Sequence, residues 1–428
     1  MSNEIRALSA MPLKPEESWR RTDPEMFFLR NDEVLSANGK ALTGEVLKWK
    51  IQCHELSISE METKILSLAD GIANDFLQWI RDGDFWNRLN FVTIGAGTVE
   101  YVKLKNSIAG AVAITTKQFS AVSVIPGSML SLATSERLAS SVGEEIVVSV
   151  STSDPQIEPI VFVSQSKSQL PQAYSAVKII AATQAKFSLV MLENFVPFSM
   201  RRHEVILQDG AKVTELWTQI STDSNSKSRN LSERVVRMAA NSEFLDAQIF
   251  APAGNVRCIS NVIIEGENAK AKSGAAVVAA GNSRFDYEPW QEHQVQKSST
   301  GLKAKFLIFE TAKAVFQGLI RVEKPAMQTV AVQENKNLLI GKRSRVESLP
   351  RLEILPNDVM CKHGSATGQL DARHIYYLGT RGFSEDEARA MIVRGFVRDG
   401  LGALPFEHPL QILADVWLSR VLLGLDFV

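Results

Sequence analysis

From about residue 91 to 345 the chain is written almost without interruption in short alternating or apolar runs, and no other feature limits its fold as much. The runs include "TVEYVKL", "AVSVI", "EEIVVSVS", "PIVFVS", "AVKIIAA", "KFSLVML", "HEVILQ", "KVTELWTQI", "NVIIEG", "GAAVVAAG", "AKFLIFE" and "KNLLI", separated by Gly, Asn, Asp and Ser turns. Alternation and β-branched enrichment predict strands throughout. No long helical pattern lies among them, which removes the alternation of strands and helices that a doubly wound sheet requires. So much strand and turn implies a large sandwich, a barrel, a propeller or a β-helix. No residue motif repeats cleanly, which argues against a WD-type propeller. A β-helix needs only loose repetition, because each coil stacks on its neighbours and buries a small inward set of side chains. Many Val, Ile and Ala, with aromatics at 7%, suit such a narrow core. On these grounds a β-helix and a sandwich stand level.

Helical signals flank this stretch. In "SEMETKILSLADGIANDFLQWI", Ile65, Leu68, Ile72, Phe76 and Trp79 recur at three- and four-residue steps and predict one apolar helix face. Before it, "PLKPEESWRRTDPEMFF" is Pro-punctuated and charged, the composition of an arm lying on something. From residue 370, "LDARHIYYLGTRGF" predicts a helix with Asp371 as N-cap that stops near Gly382, and "SEDEARAMIVRGF" offers Ser384 and Glu387 as a capping box. "HPLQILADVWLSRVLLGL" places Pro409 at a first helical turn and puts Leu410, Leu413, Val416, Trp417 and Val421 on one face. A chain of 428 residues exceeds one ordinary compact core. The expected division is an N-terminal helical region and arm over 1–90, a β core over 91–369 and a helical domain over 370–428.

Lys+Arg 47 against Asp+Glu 48 leaves a net charge of -1, which gives no footprint for nucleic acid or an anionic membrane. Cys53, Cys258 and Cys361 are widely separated and odd in number, so a reducing cytosol fits better than a secreted disulfide framework. The N-terminus lacks the basic-then-apolar pattern of a signal peptide, and no apolar stretch approaches the roughly 20 residues that span a bilayer. A cytoplasmic protein is expected. GxxxxGK[ST], GxGxxG, HExxH and GxSxG are all absent, so an intrinsic ATPase, a nicotinamide enzyme and a zinc protease lose ground. "TIGAGTVE" is glycine-rich but runs on into strand sequence, where a phosphate cradle needs a helix.

"PRLEILPNDVMCKHG" reads as extended, and in a strand residues i and i+2 point to one side. Cys361 and His363 therefore share a face, and thiolate and imidazole are ligand types for iron, zinc or an iron-sulfur cluster. A complete site takes about four ligands, so a site here is shared with another chain. The plainer alternative is a buried cysteine beside a hydrogen-bonded histidine. His54 beside Cys53 is read in a helical or loop region where adjacent side chains diverge, Cys258 as a small core residue. His203, His293, His374 and His408 show no acid or thiol partner in the sequence. The helix pair over 371–397 opens its second helix with Glu385, Asp386 and Glu387, where a DNA phosphate would sit, so a protein-docking hairpin is the better use.

Residues 314–396 are similar to the C-terminal signature of the SufB/SufD family of iron-sulfur cluster assembly proteins. The similarity runs through Phe316 and Gly318, then Asn337, Leu338 and Leu339, then Pro350, Leu352, Glu353 and Ile354, then Asp358, Cys361, His363 and Gly364. Tyr377, Leu378, Arg381 and Gly382 follow, and Glu387, Ala388, Arg389 and Phe396 close it. The Cys-x-His-Gly form, the modest length and "ESWRRTD" resemble the SufD branch more than the longer SufB branch. The resemblance implies a right-handed parallel β-helix between N-terminal and C-terminal helical regions, which decides against the sandwich. It also implies a non-catalytic scaffold that pairs with SufB through the β-helix and binds the SufC ATPase through its C-terminal helices. Tyr377, Arg381, Gly382, Glu387, Arg389 and Phe396 are then candidates for that docking. His363, with Cys361 alongside, becomes the family position implicated in building a nascent cluster, so iron or a cluster is held transiently at the SufB interface and no cofactor stably. A reduced flavin is associated with the family's complex, but no residues here mark a flavin site. Two rivals remain, a SufB-like scaffold holding the cluster itself, against which few cysteines argue, and a β-helix carbohydrate enzyme, for which no acidic cluster is visible.

Overall fold

Successive strands alternate between two sheets and pair in parallel with the strand one coil away. Glu243–Ala251 lies in the first sheet, Gly254–Ile264 in the second and Lys270–Ala279 in the first again, beside Glu243–Ala251. The result is a parallel β-solenoid of about seven turns, each sheet having an 11-strand or shorter ordered path from one end to the other. This computed structural model describes residues 50–68, 73–82, 90–94, 98–104, 111–118, 144–151, 159–164, 172–193, 198–220, 228–252, 254–423 and 425. "AVSVI", Ile72 and the Pro-punctuated arm with "ESWRRTD" lie outside the described residues.

The corners between sheets are turned by residues in the left-handed region, among them Asn241 (φ 57°), Asn268 (φ 60°) and Gly281 (φ 62°). Asn and Gly enter that region at least cost, which is why Asn and Gly punctuate the strand runs. Two antiparallel pairs occur near the N-terminal end, Asn90–Ile94 with Thr98–Leu104 and Ala111–Gln118 with Glu144–Ser151. Lys50–Leu56 is a strand paired in parallel with Thr98–Leu104, where the sequence was read as helix or loop. The segment that follows is two helices, α1 (Ile58–Leu68) and α2 (Ala73–Asp82). Ile65, Phe76 and Trp79 are buried as expected.

The solenoid interior is aliphatic through Val236, Val262, Val277 and Ile308, as the many Val, Ile and Ala suggest, and it also holds a set of aromatic rings. Trp217, Phe250, Phe285, Phe306 and Phe316 form a column from coil to coil, with neighbouring ring centroids 5.0 to 6.0 Å apart. The first sheet's outer face is also covered. Leu216, Ile249, Val278 and Phe309 pack against α1, α2 and the C-terminal helices α4 (Glu385–Arg398) and α5 (Pro409–Leu423), α3 being Ala372–Gly379. Asp371 accepts from the Arg373 backbone N–H, Ser384 and Glu387 form the capping box, and α5 starts at Pro409, all as read. Val416 departs from the expected α5 face. Leu410, Leu413, Ala414, Trp417 and Leu418 are buried, whereas Val416 is 42% exposed and lines a surface groove with Phe406, Ile412 and Leu423.

The C-terminal helices are seated on the sheet by a close backbone approach. A Cβ on Gly274 would lie 2.4 Å from the Gly400 carbonyl, so only glycine fits there. Asp399 beside it accepts from Lys303 Nζ (2.9 Å) and Lys305 Nζ (2.8 Å). None of the helices among the described residues is long and apolar enough to cross a membrane.

One interior group sets a pH dependence. His293 is fully buried, with Nδ1 2.7 Å from Ser298 Oγ and Nε2 2.8 Å from Thr300 Oγ1, and burial pushes its pKa down from 6.5 to about 4. In the unfolded chain it protonates near 6.5, so between those values the unfolded state binds the extra proton. Its stabilising contribution is therefore complete above pH 6.5 and lost as pH falls toward about 4, a loss of up to ~3 kcal/mol. Urea midpoints across pH 4 to 8 should show this, and His293→Gln should flatten that part of the curve; an unchanged slope would remove the assignment.

Candidate functional site

The last strand, Val359–Gln369, closes the first sheet's order and pairs on its inner side with Thr329–Ile340. Along it side chains alternate, and Val359 and Cys361 pack against the small cluster of Ile320, Val322, Ala326 and Ala331. Cys361 is therefore on the inward face, and His363, two residues on, shares it. Because no further coil among the described residues stacks above, this inward face is open: Cys361 is half-buried and His363 exposed. The two residues the sequence singled out are thus brought together as expected. Burial pushes the Cys361 thiol up from its ordinary value, partly offset by the Ala331 backbone donor.

Around the pair the solenoid interior turns polar, a change the sequence reading missed. Gln333, Asn335 and Asn337 face inward and stand in register with His363, Ser365 and Thr367, residue for residue. Asn337 Nδ2 donates to Asn335 Oδ1 (2.9 Å) and Thr367 Oγ1 (3.1 Å). Ser348 Oγ, from the second sheet, donates to Asn335 Oδ1 (2.7 Å) and lies 2.7 Å from Ser365 Oγ. The visible signal was two polar runs at i, i+2 and i+4; the register that joins them is not written in either. Among the described residues no three His, Cys, Asp or Glu side chains converge as a metal cage.

The other histidines and cysteines are elsewhere. Cys258 is a fully buried core residue, as read. His203 lies inside the solenoid with Nε2 3.4 Å from Glu215 Oε1 and Nδ1 3.8 Å from Glu193 Oε1, acidic neighbours invisible in sequence because they come from other coils. His408 Nδ1 accepts from the Leu410 N–H (3.2 Å), His374 is exposed on α3, and the side chains of Cys53 and His54 lie outside the described residues.

The six hairpin candidates divide by their surroundings. Tyr377 and Arg381 are exposed together, the guanidinium 5.2 Å from the ring and Nη2 3.2 Å from the hydroxyl. Tyr376 beside them is 76% exposed, an apolar area that was not singled out. Arg389 pairs with Glu385 one turn back (2.6 Å). The remaining three have structural duties: Gly382 turns the chain at φ 93°, Glu387 completes the cap, and Phe396 packs toward the sheet beneath Lys305 Nζ, 5.1 Å from its ring.

The described residues form a parallel solenoid with helices on one face and a thiol–imidazole pair on its last strand. Residues 162–396, more than half of the chain, match the model of the SUF system FeS cluster assembly, SufBD core domain. The chain belongs to the SufB/SufD family of iron-sulfur cluster assembly proteins. It is 33% identical over 154 residues to the iron-sulfur cluster assembly protein SufD of Escherichia coli K12, covering 36% of each chain. With SufD of Bacillus subtilis it is 23% identical over 218 residues, 51% of this chain and 49% of that one. With a SufBD family protein of Synechocystis the figure is 27% over 202 residues, 47% and 44%. The chain thus spans about a third to a half of the length of these curated relatives.

Proposed function

We propose that this protein is a SufD-like, non-catalytic scaffold subunit that acts in the cytoplasm, pairs with a SufB-like chain along its terminal strand and helps that partner acquire iron and assemble a cluster. The observation that carries the reading is the Cys361–His363 pair, open on the last strand of the solenoid in a SufB/SufD family chain. An edge strand presents unpaired backbone donors and acceptors to a second chain. A partner docked there brings its own ligands to the same inward face, and iron or the nascent cluster is the cargo of the shared site. The exposed Tyr376 and Tyr377 on α3, with Arg381 in the turn that follows it, provide the surface for an ATPase of SufC type, and α3 follows the terminal strand after only two residues. Movement of the hairpin is therefore delivered directly to the site. ATP hydrolysis belongs to that partner.

The test is co-purification with SufB and SufC, followed by ATP-dependent cluster formation with wild type and His363→Ala. The variant should fold and assemble normally while cluster yield falls about tenfold or more, the loss typical of damage to a metal site. An unchanged yield in an intact complex would leave the chain as a structural arm for the ATPase. Failure to form the complex at all would remove the SufD-like assignment.

A further inference from the structure

We infer that Gln333 is a positioning residue for His363, an inference that rests on the role proposed above for the Cys361–His363 pair. Gln333 stands directly beside His363 across the last two strands, on the same inward face. It is 1% exposed, yet neither its amide oxygen nor its amide nitrogen has a hydrogen-bond partner among the described residues. Its row neighbours are each satisfied at one end, since Asn337 Nδ2 donates to Asn335 Oδ1 and Thr367 and Asn335 Oδ1 also accepts from Ser348, while Asn335 Nδ2 and Asn337 Oδ1 have no partner among the described residues; Gln333 alone of the three lacks one at both ends. Leaving a buried amide unpaired costs about 1–3 kcal/mol, so a glutamine at this place has a partner to serve.

The fold makes room for that amide. A Cβ on Gly318, in the link between the second-sheet strands Lys313–Phe316 and Leu319–Val322, would fall 2.3 Å from Gln333 Nε2 and 2.5 Å from Cδ. Glycine at 318 is therefore the seat on which the amide rests. With its stem fixed there, the polar group next to it along the sheet is the His363 imidazole, whose exposed ring can turn to meet it. The amide oxygen accepts from one ring N–H, which fixes tautomer and ring plane and leaves the other nitrogen's lone pair directed out of the open end. Histidine ligands are held this way at metal sites, where loss of the outer partner lowers metal affinity about 10- to 100-fold.

The experiment uses the full chain and its complex. Imidazole 15N spectra, with the His363 signals identified by their loss in His363→Ala, should show one tautomer in wild type. Gln333→Leu, which keeps the volume, should give averaged shifts of two exchanging tautomers. Gly318→Ala, which displaces the amide without removing it, should do the same, and Gln333→Glu, which retains an acceptor oxygen, should keep one tautomer. In the complex, cluster yield should fall about tenfold in Gln333→Leu. A Gln333→Leu spectrum identical to wild type overturns the inference, as does a loss of thermal stability without change of tautomer. If His363→Ala itself leaves the yield unchanged while the spectra behave as expected, the functional reading fails and the Gln333–His363 contact stands.

Discussion

Arg234→Ala is expected to destabilise the folded protein by about 3–5 kcal/mol, the range for removing one partner from a buried ion pair. The guanidinium lies inside the solenoid at no measurable exposure, as do Glu215 and Asp246. Nη1 donates to Glu215 Oε2 (2.6 Å) and Asp246 Oδ2 (2.8 Å), and Nη2 to Ser260 Oγ (2.7 Å). Asp246 in turn accepts from Gln248 Nε2 (2.6 Å) and from Ser273 Oγ, and Gln248 accepts from the Tyr287 hydroxyl (2.9 Å). One cation thus holds two carboxylates from neighbouring coils. Burial drives the Asp246 carboxyl up, against the pull of Arg234, and the charge on Glu215 raises it further. Burial acts in the same sense on Glu215, but there Arg234 and His203 together outweigh it and its pKa is lowered.

Without Arg234 both carboxylates lose their main counter-charge, and the cheapest relief is to bind protons. The penalty in Arg234→Ala should therefore be largest near pH 8 and shrink toward pH 5, where protonation replaces the missing cation. Urea midpoints of wild type and variant at the two pH values measure this. A variant within about 0.5 kcal/mol of wild type at pH 8, the ordinary range for a surface change, would mean that the carboxylates find other partners.

That cluster also shows where the sequence stopped being legible. Strand letters such as those around Glu215 and Asp246, both on first-sheet strands, read as the solvent side of an alternating pattern. The rule fails because helices cover the first sheet's outer face, so Leu216, Ala247 and Ile249 point to the helices and the polar residues between them point in. The strands themselves, their turn residues, the helix caps and the shared face of Cys361 and His363 are local properties, and local patterning was enough to find them. Gln333 could not be found this way. Its importance lies in a register with His363 and a seat at Gly318, both of which exist only after the coils have stacked. Val416 illustrates the finer limit: helical spacing identifies an apolar stripe, but which edge of the stripe meets the sheet is decided by tertiary packing, which buries Leu413 and Trp417 and leaves Val416 exposed.

The C-terminal helices carry the second large effect. Trp417 on α5 is fully buried where α5, α2 and the first sheet meet, its ring centroid 6.3 Å from that of Phe76. Trp79 Nε1 donates to the Pro409 carbonyl (2.8 Å), so α2 ties down the start of the same helix. Truncating a buried tryptophan costs about 3–5 kcal/mol. In a solenoid each coil is held mainly by its neighbours, so a loss on the outer face stays local. Trp417→Ala should accordingly release α5 and weaken its hold on α4, while the strands from 228 to 264 remain protected. Hydrogen exchange tests this directly: amides of 409–423 should exchange orders of magnitude faster, since ~3 kcal/mol is more than a hundredfold in an opening equilibrium, and those of 228–264 should not change. Uniform acceleration along the whole chain would mean that helices and solenoid unfold as one unit. Trp417→Phe, which keeps most of the ring contact with Phe76, should recover most of the protection. Because α3 and α4 present Tyr377 and Arg381 from this same unit, the variant separates the two halves of the proposed role: partner pairing at the terminal strand should survive, and ATPase docking should weaken.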